Sequence, residues 1–488
     1  MRISSDYRTA RAMEWIIITL LLPNPIFGQG DLTPPGPPSP TMKTLQQVEP
    51  RTPISSVHYT INQGGSYYLT TNLIAVAEQH GITVSADNVT LDLSGFEIVG
   101  VSGPSSVVSG IRVTPSRTNI VVRNGTLRNW LGYGVNADGS GGRFDNLSFV
   151  NIASRGILAP YAIVNDCRFE KVGFGITVGS RSTVKNCVII GATFDGISSS
   201  DGCLIFDSVI EICGGYGISA GNGSIVRGCK VEACGHSGAG TSGVSVGSDS
   251  IIESTVSRGN GRFGFAIGNG SILKHCAADN NLRGGVSISS GAGIVDSCTV
   301  RSNHEFGIDA GTETTILNCN VSTNIGYGIF GAANLTVKGC IVSRNASNGI
   351  QTGDNSLIAH CLSFRNSSNG IQAASACTLT QNTANENARN GIVVHARSRV
   401  FGNTANNNGG FTTNGAGFYF SGDNNHIEAN TSVHNYVGYN IAGSSNLVVR
   451  NAASDFGIAG FSVDLPSNRE APIVQDPTSA DPWANVAY

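Results

Sequence analysis

A glycine followed by an apolar residue recurs along most of this chain, and that comb constrains the fold more than any other feature. It runs from Gly110-Ile111 to Gly460-Phe461. The glycines stand at 110, 134, 156, 175, 196, 217, 243, 264, 285, 307, 328, 349, 370, 391, 417, 438 and 460. Nine of the sixteen intervals are 21 residues, and the others run from 19 to 26. A fixed period of this length marks a stacked repeat, in which one lap cannot bury its apolar face without its neighbours.

The pattern inside each interval sets the type of lap. Counting the glycine as zero, apolar residues fall at +1 and often +3, again near +9 and again near +14, as in residues 328–348, GIFGAANLTVKGCIVSRNASN. Each apolar pair alternates, which is the period of a strand. The spacing predicts strands of three to five residues, separated by Gly, Ser and Asn as turn formers. Proline is missing from 161 to 465, as a chain needs if its N–H groups serve in ladders throughout. Three short strands per lap, returning above their own start, predict an all-β, single-stranded, right-handed parallel β-helix (a solenoid) of about 17–19 turns of ~21 residues with end caps. At about 4.8 Å per turn, seventeen turns make a rod of roughly 80 Å.

Two ladders support that register. The +12 position holds Cys187, Cys229, Cys276, Cys319, Cys340 and Cys361, then Asn382 and Asn403, and Cys298 joins through a one-residue insertion. The +17 position holds Cys213 and Cys234, then Asn260, Asn281, Asn324, Asn345, Asn366, Asn387 and Asn408. Stacked Asn amides can hydrogen-bond along the rod, so these residues are architecture. Twelve cysteines in an exported chain would ordinarily suggest disulfides. Here nine of them share the two inward ladders, where side chains run side by side with Cβ atoms too far apart to bridge without strain. Buried free thiols are expected, with Cys213–Cys234 and Cys319–Cys340 the pairs to check.

With its ladders in place, the repeat N/C-x-V-x-x-N-x-x-x-G-I, as in CIVSRNASNGI (340–350), resembles that of the pectate-lyase-like superfamily of right-handed parallel β-helix proteins. The segments PPGPPSPTMKTLQQVEPRTPI (34–54), ADNVTLDLSGFEIVG (86–100) and DPWANVAY (481–488) are similar to secreted bacterial β-helix proteins of unassigned activity. The resemblance implies the fold and a carbohydrate setting. It implies no single reaction, since this scaffold hosts lyases, hydrolases, epimerases and non-catalytic fibres and adhesins.

The chain ends divide by composition. Residues 1–30 are expected to be an export signal: Arg2, Arg8 and Arg11 precede the apolar core WIIITLLL (15–22), and Gly28 and Gly30 offer a cleavage site. Residues 31–53 are a Pro-rich linker, 54–109 an N-terminal cap with the first turns, 110–465 the repeats, and 466–488 a C-terminal cap. The expected location is secreted, periplasmic or on the cell surface. The apolar core of eight residues is too short to span a bilayer.

Charge narrows the partners. Charged residues are 13% of the chain and the net charge is −3, so no basic field exists to hold nucleic acid or an anionic membrane. The best charged cluster precedes the +12 ladder on early rungs: Asp145, Asp166 and Asp207, with Lys185 and Arg227 beside them. Carboxylates on adjacent rungs would fall about 5–10 Å apart, the range used in glycoside hydrolysis, and with calcium they would suit a uronate chain. The competing reading is a solvated face whose charges neutralise one another. His304-Glu305, with Asp309 just beyond Gly307, is a second acid–base candidate without a cradle. His275 and His360 lie four rungs apart and form no site. No cofactor is implied, and neither C-x-x-C nor paired histidines suggest zinc.

The +2 face is small and mostly polar: Thr177, Ser198, Ser219, Ser245, Ala266 and Ser287. Phe174, Tyr216, Phe263, Phe306 and Tyr327 precede the anchor glycines and are either corner fillers or sugar platforms. The longest intervals, 110–134, 217–243 and 391–417, make low ridges. The sequence therefore predicts a long, flat, polar surface for glycan or cell-surface binding. The alternatives are a polysaccharide lyase, glycoside hydrolase or epimerase acting on uronate-containing polymers, and a purely structural fibre or spacer.

Overall fold

The computed structural model describes residues 49–488 apart from 102–107, 237–239, 289–290, 411–414, 465–466, 477 and 479–480. The expected export signal and nearly all of the linker lie outside the described residues, as do Pro466 and Pro477 of the C-terminal segment. The linker boundary shifts slightly: Thr52–Ile54 is already the first strand, paired in parallel with Gly65–Leu69.

Arg51–Tyr488 forms one unit, an all-β parallel coil of about 19 turns. Among the described residues every strand pairing is parallel and no helix occurs. From Gly196 onward most turns carry three strands of three residues, such as Ile308–Ala310, Thr315–Leu317 and Asn320–Ser322. The central residue or the outer two point inward, and each strand lies on its counterpart one turn later: Ile308 on Ile329, Ile329 on Ile350. The core is a stack of such aliphatic layers, widened by fully buried Phe144, Phe149 and Phe169 near one end and by Phe418 and Tyr439 near the other. The rings of Phe418, Tyr439 and Phe461 stack at 4.9 and 4.6 Å.

The early turns depart from the predicted strand length. Ile120–Trp130, Gly142–Ala159 and Arg168–Val178 run through corners as single strands of 11, 18 and 11 residues. Each bends without breaking because one residue at each corner takes the left-handed backbone: Asn124, Asn129, Asn146, Asn151 and Lys171 all have φ between 50° and 62°. Asparagine tolerates that conformation best among residues with a side chain.

The same device makes the later corners. A left-handed residue precedes each inward ladder position, as Thr323 (φ 56°) precedes Asn324 and Arg344 (φ 55°) precedes Asn345. The ladder side chain then repairs the bend. The Oδ1 atom of Asn345 accepts from both the backbone N–H (3.1 Å) and the Nδ2 (2.9 Å) of Asn324, and its own Nδ2 donates to Asn366 Oδ1 (3.0 Å) and the Val321 carbonyl (3.4 Å). Every amide group in the row is thereby used while fully buried.

All twelve cysteines are free and buried. At the +12 corner, thiols take the place of the amides. Cys361 Sγ donates to the Val337 carbonyl (3.6 Å), as Asn382 Nδ2 does to Ile358 (2.8 Å) one turn on. The third corner carries a ladder of mixed type that the sequence did not single out: Ser224, Ser250 and Ser271, then Ser398, Asn425 and Asn446. Burial pushes the Cys229 thiol up to about 12.

The anchor glycines serve close approach. None of those in the regular turns has positive φ, but a Cβ at Gly328 would strike the Val342 side chain and the Gly349 carbonyl of the next turn. The C-terminal segment adds the last pairings of the coil. Asn485–Ala487 pairs with Ala452–Ser454, and Asn485 Oδ1 ends the amide ladder by accepting from the Asn451 backbone at 3.0 Å.

Candidate functional site

The coil shows three lateral faces, and chemistry depends on which side chains each turn adds to them. The predicted acidic cluster lies on one corner and its adjoining face. Asp145, Lys185 and Arg227 share a row there, but Asn165 and Phe206 stand between them on alternate rungs. Asp166 and Asp207 sit one place further on, in the left-handed corner row, with Asn186 between them. The segment from Gly156 to Ile163 is one residue shorter than its counterpart from Gly175 to Thr183, with which Ile163 pairs, and this moves Asp166 into the corner.

Each of these carboxylates except Asp207 has a side-chain partner. Asp145 accepts from Arg143 Nε and from Asn165 Nδ2 (2.9 Å), and Asp166 accepts from Asn186 Nδ2. Asp166 also lines a shallow groove of about 390 Å³ with Arg168, Asn124 and Asn146. A larger groove of about 620 Å³ runs past Arg117, Arg143, Tyr161 and Ile163, but its two arginines already face Asp87 and Asp145. The arrangement neutralises charge along the rod and brings no two of the three aspartates onto neighbouring rungs of one row.

A different aspartate stands apart. Asp309 is the outward residue of Ile308–Ala310, on the face that follows the anchor glycines. It lies between Ser287 and Phe330 on the neighbouring turns. Phe306 and Tyr327 rise beside it in the row that precedes the glycines, and the Tyr327 and Phe330 rings contact at 5.1 Å. Phe306 leans over Gly284, where a side chain would collide with its ring, and meets Phe263 at 5.8 Å. Among the described residues no hydrogen bond or ion pair reaches the Asp309 carboxylate. Burial pushes it above the ordinary aspartate value. Asp195, also raised by burial, differs in accepting the Tyr216 backbone N–H at 2.8 Å, so it holds a turn.

The face continues as an amide strip. Gln351 and Gln372 follow Phe330 on the next two turns. Asn348 Nδ2 donates to Gln351 Oε1 (2.8 Å) and Gln372 Oε1 (2.9 Å), while the backbone N–H of Asn369 donates to Asn348 Oδ1 and that of Asn390 to Asn369 Oδ1. Both glutamine carbonyls are thus fixed, and their NH₂ groups keep no protein partner among the described residues. Asp309, Phe330, Gln351 and Gln372 occupy four successive turns, a strip of about 14 Å. Rings, an unpaired carboxylate and outward amide donors in one line can stack on and hydrogen-bond a polyhydroxylated chain.

The sequence had marked part of this strip. His304-Glu305 and Asp309 were noted together, and the structure separates them: Glu305 turns to Arg283 Nε at 3.1 Å, while Asp309 faces the rings. Phe330, Gln351 and Gln372 continue the +2 row beyond its small residues, and no repeated residue type marks them in the sequence. No three His, Cys, Asp or Glu side chains come together to hold a metal ion among the described residues, and no described helix is long and apolar enough to cross a membrane.

The catalytic domain of a GH87 alpha-1,3-glucanase aligns with a TM-score of 0.36 and 12% identity, over 58% of this chain and 61% of that domain. This chain therefore spans about three-fifths of that domain's length. A mutant of the periplasmic alginate epimerase AlgG aligns at 0.32 and 12%, covering 76% and 77%. The pectate lyase Pel9A aligns at 0.25 and 13%, covering 64% and 71%. No curated protein matches by sequence. The family described as right handed beta helix region matches residues 109–243, 161–296, 237–356 and 294–431. Those overlapping stretches cover well over half of the chain, and with its parallel three-sided coil, the chain belongs to the right-handed parallel β-helix family.

Proposed function

We propose that this protein, exported or held at the cell surface, binds an extended glycan along the face that follows the anchor glycines. The observation that carries the reading is the line Asp309, Phe330, Gln351 and Gln372 on four successive turns, flanked by Tyr327. Phe330 is 37% exposed beside Asp309 and Gln351, where an aromatic ring gains nothing in water. Stacked on a sugar it buries that surface, while the carboxylate and amides take up hydroxyl groups.

Affinity electrophoresis through gels containing neutral or uronate-bearing polysaccharides tests this. Phe330→Ala and Tyr327→Ala should each cost about 1–2 kcal/mol, weakening retention roughly 5- to 30-fold. Their far-ultraviolet circular dichroism should match that of the parent. Unchanged retention in both variants would move the ligand off this face.

One observation favours a catalytic alternative, a hydrolase, lyase or epimerase. A carboxyl raised by burial, as in Asp309, is what a general acid requires. New chain ends that appear with the parent and vanish with Asp309→Asn would establish a hydrolase or lyase, and an inverted sugar configuration that vanishes with the same variant would establish an epimerase. The same assay with Asp166→Ala examines the corner groove.

A further inference from the structure

On three successive turns the residue before the anchor glycine touches the residue three places later. Tyr327 meets Phe330 ring to ring at 5.1 Å, Asn348 Nδ2 donates to Gln351 Oε1 at 2.8 Å, and Asn369 Nδ2 donates to Gln372 Oε1 at 3.2 Å. On the turn before them the same two positions hold Phe306 and Asp309. Phe306 tilts back over Gly284, whose missing side chain gives the ring its room, and lies 5.8 Å from Phe263. That lean opens space beside the Asp309 carboxylate. Phe306 walls it on one side, and Tyr327 and Phe330 wall it on the other, one rung or about 4.8 Å further along the coil.

The cations of the adjoining corner are engaged elsewhere. Arg283 pairs with Glu305 at 3.1 Å, and the Arg262 guanidinium lies over the Phe263 ring at 4.6 Å. Other aspartates of the coil hold turns: Asp195, Asp201 and Asp354 accept the backbone N–H groups of Tyr216, Asn222 and Ser375 at 2.7–2.8 Å. Asp309 holds none, and a carboxylate drawn partly out of water without a partner costs free energy. A cation from outside would remove that cost. Aromatic faces attract an ammonium group as well, most strongly where water is displaced.

We propose that the glycan bound on this face carries an amino group, and that its ammonium sits between Phe306, Tyr327 and Phe330 against the Asp309 carboxylate. The inference rests on the glycan reading of the face and names the class of sugar. A neutral sugar would leave the carboxylate unpaired, and a uronate would bring a like charge to it. The amide donors of Gln351 and Gln372 lie two and three turns beyond Asp309, about 10–14 Å away, where they meet the hydroxyl groups of the next sugar units. A free alkylammonium ion would leave those amides unused.

Calorimetric titration of the full chain at pH 7 tests the assignment. The probes are β-1,4-linked hexamers of N-acetylglucosamine and of glucosamine trimethylated on nitrogen, whose charge does not depend on pH. The cationic hexamer should bind at least about tenfold tighter than the acetylated one. Asp309→Asn should bring the two within about twofold, whereas Asp207→Asn, which removes a carboxylate without a side-chain partner elsewhere, should keep the preference. Tetramethylammonium alone should bind at least about tenfold more weakly than the cationic hexamer. A preference that survives Asp309→Asn or is lost with Asp207→Asn, or tetramethylammonium binding as tightly as the hexamer, would overturn the proposal. Equal binding of both hexamers, weakened alike by Phe330→Ala, would overturn the amino group and leave the glycan face standing. Binding of neither hexamer would overturn both.

Discussion

Replacing Asn345 with leucine isolates what the amide ladder contributes to this coil. The side chain is fully buried, and leucine is close to it in shape, so the change removes hydrogen bonds without opening a large cavity. Two donors of Asn324, its backbone N–H and its Nδ2, lose their acceptor at 3.1 and 2.9 Å. Asn366 Oδ1 loses one donor but keeps the backbone N–H of residue 345 at 3.0 Å. Each orphaned buried donor costs about 1–3 kcal/mol, so Asn345→Leu should destabilise by roughly 2–6 kcal/mol. A turn in a stacked array contacts only its neighbours, so the loss should be local. Hydrogen exchange should show protection lost over about residues 320–370 and retained near Phe144 and Phe169, with urea unfolding giving the total. Uniform loss along the chain, or a change below about 0.5 kcal/mol, would refute the view that the ladder holds the corners.

Two other outcomes follow from burial. The Asp309 carboxyl is raised in the folded state, so ionising it opposes folding: the penalty is absent below the ordinary aspartate value of 3.8 and complete above the raised one. Asp309→Asn should therefore stabilise the protein at pH 7 and make no difference at pH 3, as pH-dependent urea unfolding would show. The twelve thiols should resist iodoacetamide in the native protein and all react in denaturant, and intact mass without reductant should show no disulfide.

The ladders and the anchor spacing made the coil legible, because a repeated structural demand prints the same residue type at the same place in every turn. Asn281, Asn324 and Asn345 could be aligned by counting alone. Where several residue types meet one demand, counting fails. The third corner uses Ser250, Cys377 and Asn425 for the same task, so no ladder was visible there. The left-handed corner residues were equally hidden, since Ile212, Arg344 and Glu386 carry no mark of positive φ; the geometry is imposed by the ladders beside them. The long strand Gly142–Ala159 was missed for the same reason, because an asparagine looks like a turn whether or not the hydrogen bonds continue through it.

The site was only half legible. A single residue lost between Gly156 and Ile163 displaced Asp166 into the corner, and no count from one glycine could register this. Asp309 was visible as an acid, but not its setting. Its neighbours Phe330 and Ser287 are 21 and 22 residues away and adjoin it only once the turns are stacked.

The measurement that bears most directly on the proposed function joins retention to end-group analysis. The full chain is passed over immobilised neutral and uronate-containing polysaccharides, and the same samples are assayed for new reducing and unsaturated ends. The account predicts retention on at least one polymer with no new ends. Retention on none of them, or new ends that disappear with Asp309→Asn, would contradict it.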